Sequence, residues 1–172
     1  GSLGFMIHLV LAGLVMFLCL RALKLDWGAA VTGGAAYLMS GQIVSLVSPG
    51  HDGKLFVSAL LPLALYFLYT GVTSASWRNY VGFGVTVGLS LITPHVQLTY
   101  YLLMAAGFWW LYLVFLSGER PAGSSWAGSA VLFAGALVLG FALAAIQLMP
   151  FFEYIQYSPR GAEGSSSTGY EY

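Results

Sequence analysis

The chain has 172 residues, with six Lys and Arg balancing six Asp and Glu, and it is 59% hydrophobic but only 7% charged. A soluble domain carries roughly 25% charged residues, so this chain lacks the charge to cover a water-facing surface, whereas apolar side chains need no cover in lipid. The zero net charge gives no reason to expect nucleic acid as a partner, and the lone Cys19 excludes an internal disulfide and a cysteine-rich zinc site.

A bilayer core about 30 Å thick takes roughly 20 apolar residues as helix, and six segments approach that length. The first, residues 4–23, carries one isolated histidine, His8, which is expected to hydrogen-bond to a neighbouring helix. The second, 27–47, is lined by Gly28, Gly33, Gly34 and Gly41. The third, 55–72, contains Pro62, a kink signal able to open a cavity. The fourth, 77–93, is short and bears Gly84 and Gly88 at GxxxG spacing. The fifth covers 97–117, and in the sixth, 127–149, Ala136, Gly140 and Ala144 recur every four residues. Small residues at this spacing let helix backbones approach closely in lipid. The runs are too long, and too little alternating, for barrel strands. The fold expected is therefore an all-α, polytopic transmembrane bundle over residues 1–150. An outer interfacial segment and a polar loop follow over 151–172, where Glu153 stands among Phe151, Phe152, Tyr154 and Tyr157 just past Pro150. The opening residues hold neither an initiator Met nor a basic stretch, and the Gly/Ser-rich residues 161–172 close the chain. It reads as an internal piece of a longer protein without a signal peptide.

The loops set the expected orientation. Arg21 and Lys24 follow the first helix, Arg78 the third and Arg120 the fifth, whereas the opposite side has Lys54 and Arg160. That bias places the first set in the cytoplasm and both ends outside. Trp27, Trp77 and Trp126 then mark the inner interface, and Tyr100, Tyr101, Phe151, Phe152 and Tyr154 the outer one.

On this topology His51, Asp52, Lys54, His95, Gln97, Glu153 and Arg160 share the outer face. Asp52 has two readings, a cap for the third helix or a group beside a ligand. Lys54 sits where the helix dipole disfavours a cation, which suits a phosphate or carboxylate ligand or an ion pair with Asp52. The Thr93-Pro94-His95-Val96-Gln97 loop follows a short helix, so it either dips to line a cavity or stays at the interface. Arg160 can grip a phosphate through its fork or merely meet water. The histidines can donate hydrogen bonds or share a divalent metal with Asp52. No Walker loop, GxSxG, HExxH or cysteine-rich metal signature is present.

The run Ala36-Tyr37-Leu38-Met39-Ser40-Gly41, followed by Ser48-Pro49-Gly50-His51-Asp52-Gly53-Lys54-Leu55-Phe56, is similar to the bacterial YfhO-like membrane proteins. So are Leu91-Ile92-Thr93-Pro94-His95-Val96-Gln97 with Thr99-Tyr100-Tyr101-Leu102, and Glu153-Tyr154 with Tyr157-Ser158-Pro159-Arg160-Gly161. The resemblance implies a GT-C type glycosyltransferase in the bacterial cytoplasmic membrane, moving a sugar from a polyprenyl-phosphate donor to a cell-envelope acceptor. It places the catalytic acid in a first outer loop to which nothing in this chain corresponds. The residues present would instead surround the lipid phosphate and the sugar. Rival readings are part of a transporter, which predicts mid-membrane charges and an inverted repeat, and a non-catalytic membrane scaffold.

Overall fold

The structure, a computed structural model, describes residues 2–40, 43, 52–93, 95–121 and 124–157. Six helices are present among the described residues: α1 (Ser2–Ala22), α2 (Trp27–Leu38), α3 (Asp52–Thr73), α4 (Trp77–Ile92), α5 (Val96–Phe115) and α6 (Trp126–Tyr157). The turns from α1 to α2 and from α3 to α4 are short and locally bonded. Lys24 adopts φ 66 between α1 and α2, Arg21 Nη1 donates to Leu25 O at 2.7 Å, and Asp26 caps α2 by accepting from Ala29 N at 3.1 Å. Between α3 and α4, Ala75 takes φ 49 and Ser76 N–H closes on Gly71 O at 3.2 Å.

Helices α1 and α2 pack together, α1 also meets α3, α3 meets α4 and α5, and α4 meets α6. Chain neighbours run antiparallel and alternate helices run parallel. Thus α4 and α6 climb side by side, with Gly84 against Ala136 and Gly88 against Gly140 and Leu143. A Cβ on Gly84 would lie 2.6 Å from Ala136 O, and one on Gly140 would lie 2.9 Å from Gly84 O, so the two backbones touch and both positions need glycine. The core sits between α3, α4 and α5, where Phe83, Leu68, Leu102 and Leu113 are buried. Phe133 of α6 closes it, stacking on Phe83 at 5.5 Å and on Trp110 at 4.9 Å.

Away from this core the surface is apolar: Val10, Phe108, Val131, Val138 and Ile146 are all exposed. Among the described residues three helices are long and apolar enough to cross a membrane, Gly53–Thr73, Gln97–Phe115 and Trp126–Gln147. Met6–Ala22 is a shorter apolar helix.

The element limits differ from the sequence reading in three places. Helix α2 is described to Leu38, not to residue 47: Ser40 turns the chain, its N–H going to Tyr37 O and its Oγ accepting Ile43 N at 3.4 Å. Helix α3 opens at Asp52, so Asp52 and Gly53 belong to its first turn. Helix α6 does not stop at Met149 but continues through Pro150 to Tyr157, 32 residues in all, or about 48 Å at 1.5 Å per residue. His8 also departs from expectation. Its Nδ1–H donates to Gly4 O of its own helix at 2.6 Å, and its ring meets Phe56 of α3 edge-on at 5.2 Å.

Candidate functional site

One end of the bundle collects the N-termini of α3 and α5 and the C-termini of α2 and α4. Lys54, His95 and Gln97 lie there. Lys54 is half-buried in the first turn of α3, and its carbonyl accepts from Ser58 Oγ at 2.9 Å. His95 is the half-buried N-cap of α5, and its carbonyl receives Leu98 N at 3.1 Å and Thr99 N at 3.3 Å. Gln97 is exposed and donates from Nε2 to Tyr101 Oη at 3.1 Å. Trp109 Nε1 donates to Leu65 O at 3.2 Å across an offset of 44 residues. The same offset sets Lys54 level with Leu98, one turn from His95.

The other residues singled out in the sequence stand differently. Asp52 is the first residue of α3. Glu153 falls in the last turns of α6. Because Gly88 of α4 faces Gly140 of α6, Ile92 is level with residue 144, and Glu153 sits about two and a half turns beyond the end of α4. His51 and Arg160 lie outside the described residues. Among the described residues no three of His, Cys, Asp and Glu gather as a metal set would.

The corner between α4 and α5 is stitched on one carbonyl. Ser90 O accepts from Thr93 N at 3.3 Å, from Thr93 Oγ1 at 2.6 Å and from Thr99 Oγ1 at 2.8 Å. Thr99 and Ser90 are both buried, so this bond fixes the start of α5 against the end of α4 and holds His95 in place.

Just below this end, a cavity of about 320 Å³ opens between α2, α3 and α5. Tyr37, Ser40, Ser58 and Tyr101 give it polar edges, and Leu61, Leu98 and Leu102 an apolar floor. Its origin is local. Pro62 has no N–H, so Ser58 O loses its partner one turn ahead in α3. Tyr37 Oη of α2 supplies the missing donor at 2.7 Å. The kink signal read at Pro62 thus has a definite consequence: a tyrosine from the next helix is drawn to the freed carbonyl beside the cavity. Sequence reasoning missed Tyr37, Ser58 and Tyr101. The one available signal was the i−4 carbonyl that a mid-helix proline always frees.

The opposite end has polar structure of its own. Lys24 Nζ meets Glu119 Oε2 at 2.9 Å, tying the α1–α2 turn to the loop after α5, and this hydrogen bond raises the Lys24 pKa above its ordinary value. Tyr80 Oη and Ser129 Oγ lie 2.6 Å apart, and Trp110 Nε1 donates to the same Ser129 Oγ at 3.0 Å. Trp27, Trp77 and Trp126 are exposed at this end, as Tyr100 and Tyr101 are at the other.

No family model, curated protein or solved structure matches the chain.

Proposed function

We propose that the chain is the membrane-embedded part of a GT-C-like glycosyltransferase that draws a sugar from a polyprenyl-phosphate carrier at the outer face of the bacterial cytoplasmic membrane. The observation that carries the reading is the apolar-floored cavity between α2, α3 and α5, whose lining residues Ser58 and Leu98 follow Lys54 and His95 by about one turn and whose Tyr101 takes a hydrogen bond from Gln97. An amphiphile with an anionic head is complementary to that arrangement, its phosphate drawn to the cation and its carbon chain to the leucines. A cation near a partly dry interface also stabilises the charge that builds on a departing phosphate more than it would in water.

Insertion in a membrane is supported by the apolar outer surface, by three helices of spanning length, and by exposed tryptophans at one end and tyrosines at the other. In this reading Lys54 and Arg160 hold the phosphate. His51, Asp52 and His95 stand beside the sugar, with Gln97 and Glu153 at the rim and a divalent metal among the groups the histidines can recruit. The acceptor is a component of the cell envelope.

The resemblance assigns no catalytic acid to these residues, so binding is the measurement. A polyprenyl-phosphate sugar titrated into the protein in lipid nanodiscs should bind Lys54→Ala about tenfold more weakly than wild type, as loss of one charge-assisted contact implies. Ala105→Phe, which fills the cavity, should weaken binding of the prenyl chain while helix content is unchanged. Wild-type affinity in both variants would leave the end an ordinary solvated rim.

A further inference from the structure

We infer that the chain has a second ligand site, for a phosphate anion, at the end opposite Lys54 and His95. A cavity of about 200 Å³ lies there between α3, α4 and the start of α6. Arg120, Ser125, Ser129 and Tyr80 line it, with Leu132 on its apolar side, and among the described residues no acidic one does.

Ser124 Oγ in the lining already donates to Pro121 O at 2.8 Å, and the other polar groups there have donors to spare. Arg120 Nη1 is buried, and among the described residues it has no hydrogen-bond partner. A buried guanidinium nitrogen without an acceptor is costly, and a planar fork suits two phosphate oxygens. Ser125 Oγ already accepts from Ala127 N at 3.1 Å and Gly128 N at 3.3 Å, so its two lone pairs are engaged and its O–H remains to donate. Ser129 Oγ accepts from Trp110 and shares one hydrogen bond with Tyr80. Whichever of the two donates, one hydroxyl hydrogen of that pair is left over. The nearest acid in sequence, Glu119, is held by Lys24 at 2.9 Å. The start of α6 adds the positive end of a helix dipole to an arginine that already faces the cavity. Surplus donors, a buried guanidinium nitrogen without a partner and a lining that holds no carboxylate among the described residues together select an anion with several acceptor oxygens.

The phosphate has two possible sources, a phospholipid headgroup or a soluble phosphate. Both are tested on the chain in uncharged maltoside micelles by following thermal unfolding. One arm compares sodium phosphate with sodium chloride at equal ionic strength. The other compares micelles doped with phosphatidylglycerol and with an equal amount of diacylglycerol. The midpoint of the wild type should rise with phosphate, with phosphatidylglycerol or with both, and the responding arm names the source. Arg120→Gln should need about tenfold more ligand for the same rise. Without ligand it should unfold no lower than wild type, because it removes a guanidinium whose buried Nη1 has no partner among the described residues. Arg120→Lys keeps a point charge and should weaken binding less than Arg120→Gln. No response of the wild type in either arm, an equal response in Arg120→Gln, or a lower unliganded midpoint in that variant overturns the site and leaves Arg120 solvated by water.

Discussion

At the scale of single residues, the most informative contact joins Tyr37 to Ser58. It is one hydrogen bond, 2.7 Å long, yet it exists because Pro62 cannot donate to the same carbonyl. The two side chains are therefore coupled. Tyr37→Phe alone should cost about 1–2 kcal/mol, since it leaves a half-buried carbonyl without a donor. Pro62→Ala restores the backbone N–H to Ser58 O, and in that background Tyr37→Phe should cost only a few tenths of a kcal/mol. Unfolding of the four proteins in one detergent gives the coupling directly. Additive effects would mean that Ser58 O does not depend on Tyr37. Pro62 was legible in the sequence as a kink and a route to a cavity. Tyr37 was not, because the partner that rescues a freed carbonyl comes from another helix, and only the packing of α2 on α3 selects it.

At the scale of elements, close approach explains why α4 and α6 stay together. The small-residue spacing at Gly84, Gly88, Ala136 and Gly140 identified the contact faces in the sequence, and the structure joins those faces to one another. Gly84→Leu should be severely destabilising, because even a Cβ there would stand 2.6 Å from Ala136 O, and backbone cannot move aside as a side chain can. Val85, 40% exposed, points away from this contact, so Val85→Leu should fall within about 0.5 kcal/mol of wild type. Equal detergent stability of the two variants would refute the packing. The element limits were less legible. Nothing in the hydropathy of residues 27–47 marks the turn at Ser40, which rests on one backbone and one side-chain hydrogen bond. Pro150 looked like a stop, yet α6 passes through it to Tyr157, since a proline removes one backbone bond and leaves the rest of the helical ladder intact.

At the scale of the whole molecule, alternation of helix direction decides which residues can act together. It gathers Lys54, His95 and Gln97 at one end and Lys24, Glu119 and Arg120 at the other, as counting hydrophobic runs predicts. The apolar cavity near Lys54 and the phosphate site proposed at Arg120 were invisible to that count, because each is closed by a helix from farther along the chain, α5 in the first and α6 in the second. The proposed membrane orientation follows from the same alternation and can be tested on it. Ser74 lies in the turn between α3 and α4, Gln97 in the first turn of α5, and both are exposed. Cys19 is the one cysteine of the sequence, so Cys19→Ala gives a background without native thiols. With the Arg21, Lys24, Arg78 and Arg120 end in the cytoplasm, a membrane-impermeant maleimide added to intact cells should label Gln97→Cys. It should reach Ser74→Cys only after the membrane is permeabilised. The reverse pattern would turn the bundle over and place Lys54 and His95 in the cytoplasm, away from a donor presented outside. Equal labelling of both variants in intact cells would contradict the alternation itself, because no odd number of crossings separates two positions on the same side.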